Sequence, residues 1–221
     1  MLQDIGKQTF SFDDYLSRRY VSQLQTQDLS PEMHSALNRI ATWNLGSQDE
    51  FKLAQRFMAL DPLGKKIHLY NSHDYMPDLF KRDNVILMGG QMSNPWDELF
   101  DSRTNFITKF DPNGLIAVIN RAPAAGEQKT YTQTDSVEYC DVAYLPKSDH
   151  NGVVLLMAGT NAEATEAAGD FLLSEGQLSN FENMLHATKL PYFEVLLKVS
   201  SVTDTPLTAT IEAYRTYPNM H

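Results

Sequence analysis

Val85-Ile86-Leu87-Met88-Gly89-Gly90 and Val153-Val154-Leu155-Leu156-Met157-Ala158-Gly159 share one build. Each is an apolar run ending in glycine and followed by a helix start: Gln91-Met92-Ser93-Asn94-Pro95-Trp96 after the first, Thr160-Asn161-Ala162-Glu163-Ala164 after the second. A continuous apolar run of this length suits a strand buried on both faces, and the glycine lets the backbone turn sharply or approach a neighbour closely. The helix beyond it aims unpaired N–H groups at the turn, so each junction has the means to hold an anion or a polar ligand. If the two strands are neighbours, both turns open at one carboxyl edge, where open α/β sheets bind ligands.

Outward from these runs the pattern alternates between helix and strand signals. Phe10 to Gln23 reads as a short helix. Ser30-Pro31-Glu32 opens a second, with Met33, Leu37, Ile40 and Ala41 inward; Ser47-Gln48-Asp49-Glu50 is a capping box for a third, with Phe51, Ala54, Phe57 and Met58 as its core face. Ile67 to Tyr70 alternates like a strand, and Asn94 to Phe100 is a short helix. Strands 104–110 and 115–120 flank the turn Asp111-Pro112-Asn113-Gly114. A further strand surrounds Tyr139, a helix spans Glu163 to Leu173 with Ala164, Ala167, Ala168 and Phe171 inward, and residues 179–185 add helical turns. Strands 193–202 and 207–214, joined at Asp204-Thr205-Pro206, form a closing hairpin. The expected fold is a three-layer α/β sandwich: a mixed, mostly parallel sheet with helices on both faces and a C-terminal antiparallel hairpin. Residues 1–29 are expected to be an N-terminal extension with a short helix, and 30–221 a single domain.

Composition narrows the function classes. A net charge of −10 and a pI near 5.0 argue against direct nucleic-acid binding and against docking on an anionic membrane, both of which need clustered Lys and Arg. The sole cysteine, Cys140, excludes an internal disulfide and any Cys-based metal site, and it sits in a strand-like segment as a buried, inert thiol. None of the six histidines shows metal spacing, and no Gly-x-Ser-x-Gly elbow accompanies His73-Asp74. No signal peptide or membrane-length apolar run occurs, so the chain is expected to be soluble, without membrane insertion, and cytoplasmic or a soluble domain of a membrane-anchored parent. Met1 to Lys7 do not read as a committed element, which suits a piece of a longer protein.

Three strings together resemble a known domain: Asn94-Pro95-Trp96-Asp97-Glu98-Leu99 after the Gly-Gly strand; Ala158-Gly159-Thr160 with Thr165-Glu166-Ala167-Ala168-Gly169-Asp170-Phe171-Leu172; and Tyr192-Phe193-Glu194-Val195-Leu196-Leu197. Over residues 30–215 the chain resembles the C-terminal α/β domain of uncharacterised multi-domain bacterial regulatory proteins, in which a winged-helix or other signalling module, and sometimes a membrane segment, precedes it. The resemblance implies a sensor-like or regulatory domain and carries no enzymatic activity with it.

The candidate ligand-binding residues are Gly89, Gly90, Ser93, Asn94 and Trp96 at the first junction, Gly159, Thr160, Asn161 and Glu166 at the second, and Asn120 and Arg121, which end a strand beside the loop carrying Glu127 and are expected to reach the same rim. Each also has a purely structural reading: Asn94 and Asn161 as helix caps, Trp96 as core, Arg121 in a surface ion pair, Glu163 and Glu166 favoured by the helix dipole. No catalytic residue, metal ligand or cofactor site is assigned. Three functions are compatible with these residues. The first is a non-catalytic regulatory domain sensing a small polar or anionic ligand. The second is a nucleotide- or nucleoside-processing hydrolase or transferase using Glu163 or Glu166. The third is an assembly domain forming a homodimer through the 193–214 hairpin.

Overall fold

Lys147 N–H bonds Gly152 O at 3.0 Å, and Gly152 takes a φ of +114°, closing a tight hairpin between residues 137–146 and 153–159. That turn decides the strand directions. The computed structural model describes residues 11–17, 30, 48–72, 74–91, 93–113, 115–148, 151–186, 190–200 and 208–217. Its elements are α1 (Phe12–Leu16), α2 (Gln48–Ala59), α3 (Pro77–Arg82), β1 (Val85–Met88), a 3-10 helix (Pro95–Phe100), β2 (Phe106–Phe110), β3 (Ile116–Asn120), β4 (Thr130–Thr132), β5 (Val137–Pro146), β6 (Val153–Gly159), α4 (Ala162–Leu173), α5 (Glu175–Leu185), β7 (Phe193–Ser200) and β8 (Thr208–Thr216).

Five strands form the main sheet in the order β1-β6-β5-β7-β8, and β2-β3-β4 form a second, antiparallel sheet. Among the described residues of the main sheet only β1 and β6 are parallel; β6 with β5, β5 with β7 and β7 with β8 are antiparallel. The expected mostly parallel sheet with helices on both faces is therefore incorrect. An apolar run reports burial on both faces and says nothing about direction. The connection between β5 and β6 is a hairpin too short for the crossover that parallel strands need.

The two faces of the main sheet are covered differently. Cys140, Val142, Met157, Val195, Leu197 and Val199 point to one face and pack under α4, α5 and α2. Leu87, Ala143, Leu145, Val154 and Leu156 point to the other, beneath the 3-10 helix and Tyr75, with Phe80 of α3 alongside. On that same face Tyr139, Leu196 and Ala213 pack against Phe106, Val118 and Tyr131 of the second sheet. The cover is helical on one side; on the other it is a small sheet with short helical turns.

Several local expectations change accordingly. In α2, Leu53, Ala54 and Phe57 are buried, whereas Phe51 and Met58 lie exposed on the opposite side. Residues 67–70 form no strand. The helical turns at 179–185 are part of the longer α5, which Ser174 caps through Gln177 N–H. The helix expected from Ser30 to Gly46, residues 18–23 of the first helix and the turn at 204–206 lie outside the described residues. Among the described residues no helix is long and apolar enough to cross a membrane.

Two contacts hold the peripheral helices. The ammonium of Lys147, a residue buried to 1% exposure, donates to Phe80 O, Lys81 O and Asp83 O at 2.8, 2.9 and 2.9 Å. It thus meets the open carbonyls at the end of α3 with all three of its donors. Helix α2 docks on α4 through Leu53, which lies where a Cβ on Gly169 would stand. Arg56 reaches Glu166 at 2.8 Å and also pairs with Asp170. Gly169→Ala is therefore expected to lower stability by about 1–3 kcal/mol through overpacking. Urea unfolding of Gly169→Ala, Leu53→Ala and the double variant will check this: the double variant should lose less than the two single losses combined.

Candidate functional site

β1 and β6 run side by side in register, with Met88 opposite Met157 and Gly89 N–H bonded to Met157 O at 2.9 Å. Both glycine turns therefore open on one rim. Gly89 has φ +86°, a left-handed conformation that glycine adopts without strain.

Beneath the rim the chain's own side chains occupy the turns. A Cβ on Gly90 would come within 3.3 Å of Thr108 and 3.4 Å of Ala158. Thr108 Oγ1, from the second sheet, donates to Ala158 O at 3.2 Å. A Cβ on Gly159 would meet Asn161 O at 2.6 Å and overlap Thr165 Oγ1. This glycine brings the start of α4 hard against the end of β6.

The sequence candidates separate into groups. Asn94 is buried and locks the first turn: its Nδ2 donates to Met88 O at 3.1 Å and its Oδ1 accepts from Trp96 N–H at 3.4 Å. Trp96 is core, ringed by Phe12, Tyr75 and Phe80, with its indole N–H on Ser72 O at 3.0 Å. Thr160 is buried too; it continues the β5–β6 pairing through Tyr139, with its Oγ1 accepting from Tyr139 N–H at 3.1 Å. Asn161 caps α4 by accepting from Ala164 N–H at 2.8 Å. Ser93 is exposed over Gly89. Glu166 faces Arg56 on the α2–α4 contact. Asn120 belongs to a network on the second sheet, accepting from Asn105 and donating to Glu127 and Gln128 O, and exposed Arg121 donates to Ser102 O at 3.5 Å. The rim thus gathers Gly89, Gly90, Ser93, Gly159 and Asn161, while Asn120, Arg121 and Glu166 serve other contacts.

The rim is acidic. Glu50 of α2 reaches the first turn, its Oε1 standing 3.0 Å from where a Gly89 Cβ would be. Glu138, at the start of β5, has a buried Oε2 without a hydrogen-bond partner among the described residues. Burial pushes its carboxyl upward, a hydrogen bond from Asn161 opposes this, and Glu163 adds to the rise. Among the described residues no group of His, Cys, Asp and Glu could hold a metal ion; His34, His73, His150 and His221 lie outside them.

The feature missed by reading the sequence is a set of buried acids under the second sheet. Asp141 and Glu194 point to the same face of the main sheet, and Asp97 approaches from the 3-10 helix. Their signal was present as a single acid inside each apolar strand, Cys140-Asp141-Val142-Ala143 and Phe193-Glu194-Val195-Leu196. Carboxyls are rarely fully buried unless partnered, so acids at such positions mark a polar contact across layers.

Set against protein-family models, curated proteins and solved structures, the chain has no match in any of the three.

Asp97 accepts from Gln91 N–H at 3.2 Å and so ties the first glycine turn to the 3-10 helix. Burial pushes its carboxyl up to about 7, with Asp101 adding to the rise and the Gln91 N–H opposing it. A carboxyl that holds its proton more tightly when folded makes stability fall as pH climbs from the ordinary carboxyl range, about 4, towards 7. Asp97→Asn should flatten that decline. Urea midpoints measured across this pH window test it, and an unchanged slope would refute the assignment.

Proposed function

We propose that this chain is a non-catalytic regulatory domain that senses a small polar ligand at the rim where β1 and β6 end. The observation that supports this reading is the shared rim itself. Two glycine turns open together there, α4 begins beside them, and Glu138 keeps a buried oxygen next to Asn161 without a partner among the described residues. With Glu50, Glu138 and Glu163 around it, this rim favours a ligand that donates hydrogen bonds, such as an amine or a hydroxyl-rich compound, over an anion. The other two expectations draw less support. Glu166 is engaged by Arg56. The outer strand β8 is bulged against β7 and carries Glu212 and Arg215, features that oppose edge-to-edge pairing of two copies.

Thermal-shift screening against amino acids, polyamines, nucleosides and nucleotides tests the proposal. A donor-bearing compound is expected to stabilise the chain by roughly 2.7 kcal/mol at a hundredfold excess over its Kd. The shift should disappear in Glu138→Gln, which keeps the size of the side chain and alters its hydrogen bonding. Silence across the panel, or a shift indifferent to Glu138, abandons the rim as the site. Chromatography of nucleosides and NAD incubated with the chain should return them unchanged.

A further inference from the structure

Glu194 of β7 is fully buried, and its carboxyl is surrounded by donors. Its oxygens accept Asn105 N–H at 2.9 and 2.8 Å, Phe106 N–H at 2.7 Å and the hydroxyl of Tyr217. Asn105 and Phe106 stand at the entry to β2, and Tyr217 comes directly after β8, so one side chain of the main sheet ties down both. These donors suit a carboxylate.

Asp141, on the neighbouring strand β5, is buried on the same face, diagonal to Glu194 across the β5–β7 pair, where Ala143 stands opposite Glu194, and its carboxyl is within hydrogen-bonding reach of Glu194. Two carboxyl groups share a hydrogen bond only through a proton. Glu194 is already accepting from three groups, so the donor is Asp141. Asp141 Oδ1 has no partner among the described residues, which fits a neutral acid, because an ionised carboxylate with a bare buried oxygen is far more costly.

We propose that the second sheet is seated on the main sheet by a proton-operated clasp, in which one proton held by Asp141 and donated to Glu194 is part of the folded structure. When the proton leaves to solvent, Asp141 becomes a carboxylate facing a carboxylate. The repulsion falls on Glu194, and so on the amides of Asn105 and Phe106. The surroundings keep the proton in place. Asp97 of the 3-10 helix faces the pair, the Tyr217 hydroxyl touches Glu194, and the Cys140 thiol lies on the opposite face of the sheet. Arg215 of β8 also acts on Glu194 through its charge, and it is engaged by Glu127. Burial pushes the carboxyls of Asp141 and Glu194 upward, Asp141 well beyond the ordinary range. A carboxyl raised in the folded state lends stability that is full at acid pH and is lost as pH rises through the folded value, so the clasp opens on the alkaline side.

Two readouts on the whole chain test this. Infrared spectra at neutral pH, taken in an Asp97→Asn background so that Asp97 contributes nothing, should show a carboxylic-acid C=O band that Asp141→Asn removes. Amide exchange resolved at Asn105 and Phe106, corrected for the chemical rate, should lose about tenfold in protection per pH unit once the proton begins to leave. Asp141→Asn keeps a donor to Glu194 without a titrating proton, so its protection should stay level. An unaltered acid band, or protection that falls equally in both proteins, overturns the proposal. If Asp141→Asn does not fold, calorimetric unfolding of the Asp97→Asn chain at neutral pH, in buffers of different ionisation heat, decides instead. Release of a proton supports the clasp, and release of none refutes it.

Discussion

A carboxylate removed from water must find donors, and Glu194 finds them outside its own sheet. The amides of Asn105 and Phe106 and the hydroxyl of Tyr217 converge on it. Without that convergence a fully buried charge would have no compensation, so the position of β2 and of the chain after β8 depends on it. The apolar contacts of Phe106, Val118 and Tyr131 with Tyr139, Leu196 and Ala213 add area to the same union, but area is non-directional. The polar contact sets where the second sheet sits.

The opposite face of the main sheet is held by shape. Ala164, Ala167 and Ala168 let α4 lie close on the strands, and Gly169 lets α2 come equally close to α4 from outside. Arg56 then spans the α2–α4 contact to Glu166 and Asp170. The two faces therefore rely on different chemistry, hydrogen-bonded acids on one side and small-residue packing on the other.

Between these layers lies the rim formed by the ends of β1 and β6. Its interior is filled by Thr108, Thr165 and Asn94, which leaves the exposed surface over the turns to carry the sensing role proposed for it. Asp97 connects this rim to the buried acids, since it holds Gln91 N–H of the first turn and faces the Asp141–Glu194 pair. A ligand at the rim and a proton at the clasp would thus act on adjoining parts of one structure.

Local chemistry made much of this readable from the residues alone. The apolar runs ending in Gly89-Gly90 and Gly159 are strands, Asn94 and Asn161 cap the helices after them, and Asp111-Pro112-Asn113 turns a hairpin, because periodicity, capping and turn preference act over a few residues. Strand direction and layer order were not readable. A doubly buried strand has the same composition whether its neighbour runs with it or against it, and the length of the β5–β6 turn, not the apolar run, decided the matter. The same holds for the site. Glu166, Asn120 and Arg121 have residue types suited to a ligand, yet their partners are Arg56, Asn105 and Ser102, each outside the element that carries the candidate. In the sequence Asp141 and Glu194 stand 53 residues apart, each a single acid within an apolar strand, with nothing to join them. The sequence by itself determined which segments become strands and helices and where they stop; only the tertiary structure decided which polar groups meet, because a buried charge is satisfied by partners that folding brings from elsewhere in the chain.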